Sequence, residues 1–448
     1  MAKSHKFEDA ILIVAEKVDD NKYLASIKNA FTTFLPFVIV GSLGSLLNNL
    51  ISSPTSGLAQ WIPSLTALGP AFTLLNYCTM SFMTVPIIFL VATNLARRDK
   101  VPEHITGIVC IAAYISMVPN VIPGPDGTTV SGLVTGILGA QGLFIGMISA
   151  VVYSQLFGKL TKIDRIKIKM PDSVPPAIAT SFNVLLPILI TLLCSSIFGI
   201  AFKSLTGTYV NDFIYTFLQT PLEIMFQSPV GIVLVVLISQ LFWVLGIHGG
   251  LVISPIRNPL MAAAIAANIA AASSGTVPDQ PVTYGFWMNF VVPGGAGCIL
   301  SLIIAIMLFS KRDDYREVAK FGLPSTVCGI PEPVYFGLPV VLNPTFAIPL
   351  AITSPISTAI AMFATNIGFL PCNTVDVPLG LPVLISPFIS HGWQGVVVQI
   401  ICIAVTTAIW TPFVLISNRQ AKLQQAKEKE QESAALEEAE VDATYGVN

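Results

Sequence analysis

The chain has 448 residues, of which 53% are hydrophobic and only 11% are charged, and its mean hydropathy is +0.75. Charged residues make up about 25% of an ordinary soluble protein, so this composition excludes that class and predicts an all-α polytopic protein embedded in a lipid bilayer. The 23 basic residues nearly balance the 25 acidic ones, which argues against a nucleic-acid partner.

The first 25 residues predict an amphipathic segment on the inner membrane surface. Residues 6–20 mix acidic and basic side chains, and Phe7, Ile11, Val14 and Val18 recur at helical spacing on one side. A cleaved signal peptide would not carry this mixture of charges.

The spanning segments follow from the requirement for about 20 mainly apolar residues in a crossing helix. Nine stretches meet it, and 256–273, which is rich in small residues, completes a set of ten. The predicted crossings are 27–51, 73–96, 105–122, 132–156, 178–202, 229–253, 256–273, 286–309, 345–367 and 394–416.

Basic residues predict the orientation, because Lys and Arg collect in cytoplasmic loops. They cluster before the first crossing, after the second, after the fourth, after 286–309 and in the tail, and only Lys203 and Arg257 lie elsewhere. Ten crossings with this pattern place both termini in the cytoplasm.

The segment 208–227, which carries no basic residues, is predicted to lie on the outer surface and divides the chain into two halves. Residues 26–207 hold the first five crossings, and residues 208–418 hold the other five. The charged residues 419–448 predict either a cytoplasmic helix or a disordered tail.

Prolines interrupt the second half in two stretches, 324–344 and 372–392. Proline removes a helical hydrogen bond, and irregular backbone at membrane depth is tolerated only inside protein or along a water-filled cavity. We therefore predict two re-entrant hairpins of the kind that build transporter sites. Extramembrane loops are the alternative, and apolar residues such as Val334 and Phe336 weigh against them.

Two polar residues stand in apolar surroundings. Glu332 lies between two prolines, and a carboxylate there indicates either a functional site or a group that caps backbone N–H donors. His248 lies in an apolar crossing beside Gly249 and Gly250; it is either a hydrogen-bonded core residue or part of a site that needs close backbone approach.

The seven cysteines are scattered singly, with no CxxC pair, which is typical of packing residues. The sequence therefore predicts neither a disulfide nor a metal site, and no cofactor.

The motif GIPEPVYFGLPVVLNP at 329–344, followed by IPL, and the earlier GIHGG followed by PI resemble enzyme IIC. This is the membrane subunit of the lactose/cellobiose (diacetylchitobiose, β-glucoside) class of the bacterial sugar phosphotransferase system. The resemblance implies a ten-helix homodimer in the bacterial cell membrane. Its first five crossings would form the dimer interface, and its second five would enclose one sugar.

The resemblance also implies roles for individual residues. In the family, the histidine of GIHG and the glutamate of the EP motif lie at the sugar hydroxyl that receives phosphate, and they match His248 and Glu332. Phosphoryl transfer to a 6-hydroxyl is helped by a base and by groups that hold the oxygen in line. Glu332 is the candidate base or orienting acceptor, and His248 is its hydrogen-bonding partner.

Three further residues are candidates for substrate binding. Arg257, followed by Asn258, is expected to meet the phosphorylated product or the donor, or else to anchor the chain at the inner leaflet. Asn343 has the paired donor and acceptor that suit a sugar hydroxyl, but it equally suits a helix cap before Pro344.

The expected function is inward transport of a disaccharide such as cellobiose, with lactose, diacetylchitobiose or a related monosaccharide as other candidates. The resemblance implies that the phosphate donor is the phosphocysteine of a separate IIB protein, supplied by IIA, so the chain is a transport subunit of a phosphotransferase. Leu379 stands where the family commonly has a tryptophan that suits sugar stacking. A proton-coupled secondary sugar transporter is the main alternative, and a channel is a lesser one.

Overall fold

The computed structural model describes residues 21–54, 57–123, 128–168, 182–338, 340 and 343–445, so the predicted amphipathic segment at 6–20 lies outside the described residues. Nearly all regular structure within these ranges is helical. The exception is an antiparallel hairpin of β1 (Val121–Pro123) and β2 (Thr129–Ser131), in which Ile122 lies opposite Val130. The mainly helical fold that the sequence predicts is confirmed, with this short hairpin as an addition to it.

The first half contains six of the longer helices. The helices are α1 (Lys22–Leu47), α2 (Gly69–Thr79), α3 (Thr84–Asp99), α4 (Glu103–Ile115), α5 (Leu143–Leu160) and α6 (Leu185–Thr206). Short helical turns lie between these helices: the π-turn Asn48–Ser52, the four-residue α-helical turn Thr135–Leu138, and the 3-10 turns Leu58–Gln60, Pro63–Leu68, Ala140–Gly142 and Asp164–Ile166. Helix α3 packs against α1, α4 and α5, and its Ile87, Ile88, Val91 and Leu95 are buried.

The second half contains more short pieces. Its longer elements are α7 (Thr220–Gln227), α8 (Pro229–Val244), α9 (Ser254–Ser273), α10 (Ile299–Phe309), α11 (Asp313–Val327), α12 (Glu332–Gly337), α13 (Pro344–Asn366) and α14 (Ile385–Tyr445). The short turns are Val210–Ile214, Tyr215–Gln219, Gly249–Val252, Tyr284–Phe286, Trp287–Val291 and Ala296–Cys298. Helix α13 packs against α8 and α14, and α14 also packs against α10.

Seven helical segments among the described residues are long and apolar enough to cross a membrane, or up to eight if the bent pair Val210–Gln227 and Pro229–Val244 counts as one. This count is lower than the ten predicted crossings. Helix α4 has only 13 residues, and α9 has 20 but includes Arg257 and many alanines in place of large apolar residues. The multispanning character is confirmed, and the number ten stays a prediction.

The predicted crossing at 286–309 is a candidate span, but the prediction of one continuous helix is wrong. The chain breaks between Val291 and Ala296, where Gly294 and Gly295 take φ values of +68° and +101°. A Cβ atom on Gly295 would lie 2.3 Å from Pro331, so only glycine allows this close approach.

Side chains from other helices satisfy the backbone groups next to this break. The N–H of Gly297 donates to Ser354 Oγ at 3.0 Å, and its carbonyl accepts from Thr353 Oγ1 at 2.8 Å and from Trp410 Nε1 at 3.1 Å. Tyr335 donates to the carbonyl of Ala296. Helices α12, α13 and α14 therefore hold the break in place.

Two other predicted crossings are also interrupted. The stretch 73–96 divides at Met80–Met83 between α2 and α3, and 229–253 ends as a helix at Val244 and resumes as a turn at Gly249. His248 lies in this second interruption, in loosened backbone as its neighbouring glycines suggest.

Residues 372–384 are irregular, as predicted, but the described part of 324–344 is mainly helical, because it includes the end of α11 and all of α12. Pro324 lies inside α11, and α14 already begins at Ile385, so the irregular regions are shorter than 324–344 and 372–392. Their assignment as re-entrant hairpins stays a prediction. The tail continues α14 as far as Tyr445, which favours the helix over a disordered tail.

Candidate functional site

A cavity of about 360 Å³ lies between α1, α8, α9 and the irregular segments of the second half. Four of the five predicted site residues line it: His248, Arg257, Asn258 and Glu332. They come from three different parts of the chain, so the fold brings together residues that are far apart in sequence.

His248 is held from two sides. Its Nδ1 accepts a hydrogen bond from the N–H of Leu251 at 3.2 Å, which requires the proton of a neutral ring to be on Nε2. The ring packs on Trp243 with centroids 4.3 Å apart, and Trp243 stacks on Tyr335 at 4.7 Å. Helices α8 and α12 thus fix the orientation of the imidazole.

Glu332 is the first residue of α12 and is exposed to the cavity. The close contact between Gly295 and Pro331 sets its position, because Pro331 directly precedes it. The Glu332 carboxylate and the His248 imidazole line the same cavity. A hydrogen-bond acceptor and an imidazole with an N–H donor therefore share this cavity.

Arg257 lies on α9 in a fixed pose. Its Nε and Nη2 atoms donate to Asn258 Oδ1 at 3.2 and 3.1 Å, and the guanidinium stacks over Trp287 at 4.5 Å from the ring centroid. It is half-buried in the cavity wall, which favours a site residue over an anchor at the inner leaflet.

Asn343 is not among the cavity-lining residues. Its Oδ1 accepts from the N–H of Thr345 at 2.9 Å, which makes it the N-cap of α13. The structure therefore favours the cap interpretation, and a role in sugar binding remains an untested prediction.

Two charged residues that line the cavity were not predicted as site residues from the sequence. Asp376 is buried, and its Oδ1 accepts from the N–H of Gly285 at 2.7 Å and from Asn373 Nδ2 at 3.1 Å. It lies in a proline-rich stretch like Glu332, so the same argument about buried carboxylates applies to it. Lys28 of α1, which belongs to the first basic cluster, also lines the cavity.

Leu379 lines the same cavity, with 56% of its surface exposed. The aromatic residues Trp243 and Trp287 line it as well, but they are 9% and 3% exposed and already pack on His248 and Arg257. They hold the polar groups in place and offer little free ring surface to a ligand.

These features are those of a helical membrane protein whose cavity, mainly apolar with a few charged and polar residues, lies beside broken helices, as in transporters. The family model "Phosphotransferase system, EIIC" matches residues 28–354. The chain therefore belongs to the EIIC family, the sugar-transporting membrane components of the phosphotransferase system.

Similar proteins agree with this assignment. The oligo-β-mannoside-specific EIIC component of Bacillus subtilis (strain 168) is 28% identical over 430 residues, covering 95% of this chain and 96% of that protein. The cellobiose-specific EIIC component of Lactococcus lactis is also 28% identical and covers 92% and 97%.

A solved structure gives the same result. The transporter ChbC, the IIC component from the N,N'-diacetylchitobiose-specific phosphotransferase system, matches with a TM-score of 0.86 and 26% identity. The match covers 94% of this chain and 99% of that one. The resemblance to the cellobiose/lactose class that the motifs indicated is confirmed.

Proposed function

We propose that this chain carries a β-glucoside-type disaccharide inward and presents its 6-hydroxyl to a phosphorylated IIB protein. Cellobiose is the first candidate, and lactose, diacetylchitobiose or a related monosaccharide are the others. The observation that carries the proposal is the convergence of His248 and Glu332 on one cavity with Arg257 and Asp376. The names of the similar proteins support this class of sugar.

Each polar group has a role that suits phosphoryl transfer. Glu332 accepts the proton of the attacking hydroxyl, and His248 holds the sugar oxygen in line. Arg257 offers a fixed positive charge to the phosphorylated product. Asp376 accepts a hydrogen bond from a second hydroxyl and so orients the ring.

The proposal is tested with purified protein titrated with cellobiose, lactose, N,N'-diacetylchitobiose and galactose. Tryptophan fluorescence is a suitable signal, because Trp243 and Trp287 line the cavity. Phosphorylated IIB is then added, and the product is identified by mass spectrometry. A 6-phosphosugar is expected; uptake that delivers only free sugar would instead establish a proton-coupled secondary transporter.

We also propose ten crossings, two re-entrant hairpins and cytoplasmic termini. The Lys22 amine lies 2.8 Å from Asp99 and also donates to Gln155, which groups the start of α1 with the basic ends of α3 and α5. This grouping supports a shared cytoplasmic side. Impermeant labelling of a cysteine placed near residue 21 tests it: protection in intact cells is expected.

The basic residues around α11 are the proposed docking surface for IIB. Arg316 donates to the carbonyls of Met307 and Ser310, so it stabilises the end of α10 and is unsuitable for charge reversal. Lys311 is exposed, and Lys311→Glu should lower phosphorylation several-fold at limiting IIB and low salt, with sugar affinity unchanged. An unchanged rate would exclude Lys311 from the docking surface.

The unit 26–207, which holds the first five predicted crossings, is the proposed dimer interface. Helix α6 presents exposed apolar residues such as Leu193 and Ile197, a surface that either lipid or a second copy of the chain can cover, so the proposal rests on the resemblance to the family. Mass measurement in lipid nanodiscs should give a dimer, and a monomer with full sugar binding and phosphorylation would contradict it.

A further inference from the structure

A second cavity, of about 330 Å³, lies on the other side of α9 from the first. Its wall includes Ala263, Ala264 and Ala267, whereas Arg257 and Met261 of the same helix line the first cavity. A helix rises about 1.5 Å per residue, so Arg257 and Ala267 are separated by roughly 15 Å along the axis. The two cavities are similar in size and are divided by α9.

The second cavity combines an apolar floor with a polar rim. Alanines of α9 form the floor, and Gln141, Gln219, Glu223 and Gln280 contribute polar side chains from other segments. A pyranose has the complementary surface, since its ring has apolar C–H faces and its edge carries hydroxyl groups. Amide and carboxylate oxygens are the acceptors that such hydroxyls need.

One acceptor in this rim has no donor among the described residues. The Nε2 group of Gln219 donates to the carbonyl of Ala140 at 3.0 Å and to Glu223 Oε1 at 2.8 Å. These two acceptors fix the orientation of the amide and leave its Oε1 atom buried without a partner, in a side chain that is 1% exposed. A buried acceptor left unsatisfied is costly, so a ligand hydroxyl that donates to it would be favoured.

The position along the helices gives the side of the membrane. The cavity lies beside Ser81, before α3, and beside Gly139, before α5. The other ends of these helices carry Arg97 and Lys159, which belong to the basic, cytoplasmic clusters. The second cavity is therefore at the outer end, and the first, which includes Lys28, extends toward the inner end.

We propose that the second cavity is an outer carbohydrate site that holds the incoming sugar before it reaches the first cavity. Gln219 Oε1 and the Glu223 carboxylate accept hydrogen bonds from the hydroxyl groups of the sugar, and the alanine side chains of the floor pack on the face of its ring. This inference rests on the proposed sugar-transport function. It adds a site that has its own affinity and its own residues.

The test uses the full chain with Ala267→Cys, which places a thiol on the exposed floor of the cavity. Its modification by a maleimide is followed on the peptide that carries residue 267. The protein also carries His248→Ala and Glu332→Ala, which disable sugar binding in the first cavity. The probe is cellobiose, or whichever sugar of the panel quenches tryptophan fluorescence in the natural protein. Saturating sugar should slow modification at least fivefold.

The matched control is Val277→Cys, which lies in the exposed loop after α9 and should react at the same rate with and without sugar. Glu223→Gln or Gln219→Leu is then added to the protein that carries Ala267→Cys. Either change should raise the sugar concentration needed to protect residue 267 by about tenfold, because the sugar loses a hydrogen bond to a charged or buried group. Asp212→Asn, an exposed acidic residue on the same segment, should leave it unchanged.

The outcomes separate the two proposals. Sugar that quenches tryptophan fluorescence in the natural protein but gives no protection in the double variant overturns the second site and leaves the proposed function intact. A panel in which no sugar quenches fluorescence or yields a phosphorylated product overturns the proposed function itself. Normal quenching in Gln219→Leu and Glu223→Gln placed singly in the natural chain verifies that these variants fold.

Discussion

Helix α3 and the segment 284–309 are both buried and apolar, yet they are built in opposite ways. Helix α3 runs unbroken and buries Ile87, Ile88 and Leu95 against its neighbours. The segment 284–309 breaks next to Gly295, and hydroxyl, amide and indole groups of other helices satisfy its backbone. An unbroken helix gives the fold a scaffold, whereas a broken one gives it a cavity wall.

The comparison of these two segments indicates that polar groups in this transporter lie beside broken helices. Continuous helices satisfy their own backbone groups, so their side chains are free to be apolar. A break requires polar partners nearby, and those partners create an environment in which Glu332 and Asp376 are tolerated. Five predictions are made in all, one of them the Lys311→Glu variant above. Those below test whether changes in an unbroken helix affect only stability, while changes near the broken segment affect sugar binding and phosphorylation.

The largest effect is expected for Gly295→Ala. Its φ of +101° and the 2.3 Å approach to Pro331 forbid a side chain, so we expect a loss of about 3 kcal/mol in stability together with most of the sugar affinity. Thermal unfolding and tryptophan fluorescence measure the two effects. Gly275→Ala is the control: its φ is +77° but nothing lies within 4 Å, so it should cost only about 1 kcal/mol.

Leu95→Ala probes the unbroken scaffold. The side chain is fully buried in α3, so its truncation should lower stability by about 3 kcal/mol and leave sugar affinity unchanged. Leu189→Ala on α6, where the side chain is 49% exposed, should cost much less. A fall in sugar affinity that matches the loss of stability in Leu95→Ala would show that the scaffold and the site are not separable.

Glu332→Gln tests the chemistry at the broken segment. The amide keeps the shape but takes no proton, so sugar should bind a few-fold more weakly while single-turnover phosphorylation falls by ~10²-fold, or about 2.7 kcal/mol. Excess phosphorylated IIB and the same purified protein serve both measurements. Glu103→Gln, which removes a half-buried carboxylate that lies outside the cavity and 2.8 Å from Arg97, is the control and should leave both unchanged.

A near-normal turnover rate in Glu332→Gln would remove Glu332 from the mechanism. A purely structural role would give a third pattern: stability and binding would fall together, and the sugar that still binds would be phosphorylated at the normal rate.

Leu379→Trp is expected to give the smallest effect. An added indole on the cavity wall should tighten disaccharide binding several-fold relative to monosaccharide, because aromatic packing contributes about 1 kcal/mol. Titration of cellobiose and glucose gives the ratio, and Leu379→Met, which conserves volume, should leave it flat. A flat ratio in Leu379→Trp as well would indicate that the disaccharide does not reach this position.

The division into two halves at 207/208, predicted from the surface segment 208–227, stays a prediction. In the structure one buried cluster runs across both halves, from Phe34 and Ile88 through Ile232 and Phe290.

The membrane class, the irregular segment 372–384, and Glu332 and His248 as candidate residues for the chemistry could be predicted from the sequence alone. These follow from local properties: hydropathy, the missing N–H of proline and the cost of a carboxylate among apolar residues. The sequence alone did not show that Glu332 and His248 share a cavity, that Asp376 and Lys28 also line it, or that Asn343 caps a helix; the folded structure shows all three. These outcomes depend on which distant segments of the chain pack together. Neither the sequence around Gly295 nor the sequence around Pro331 has a local pattern that predicts their contact.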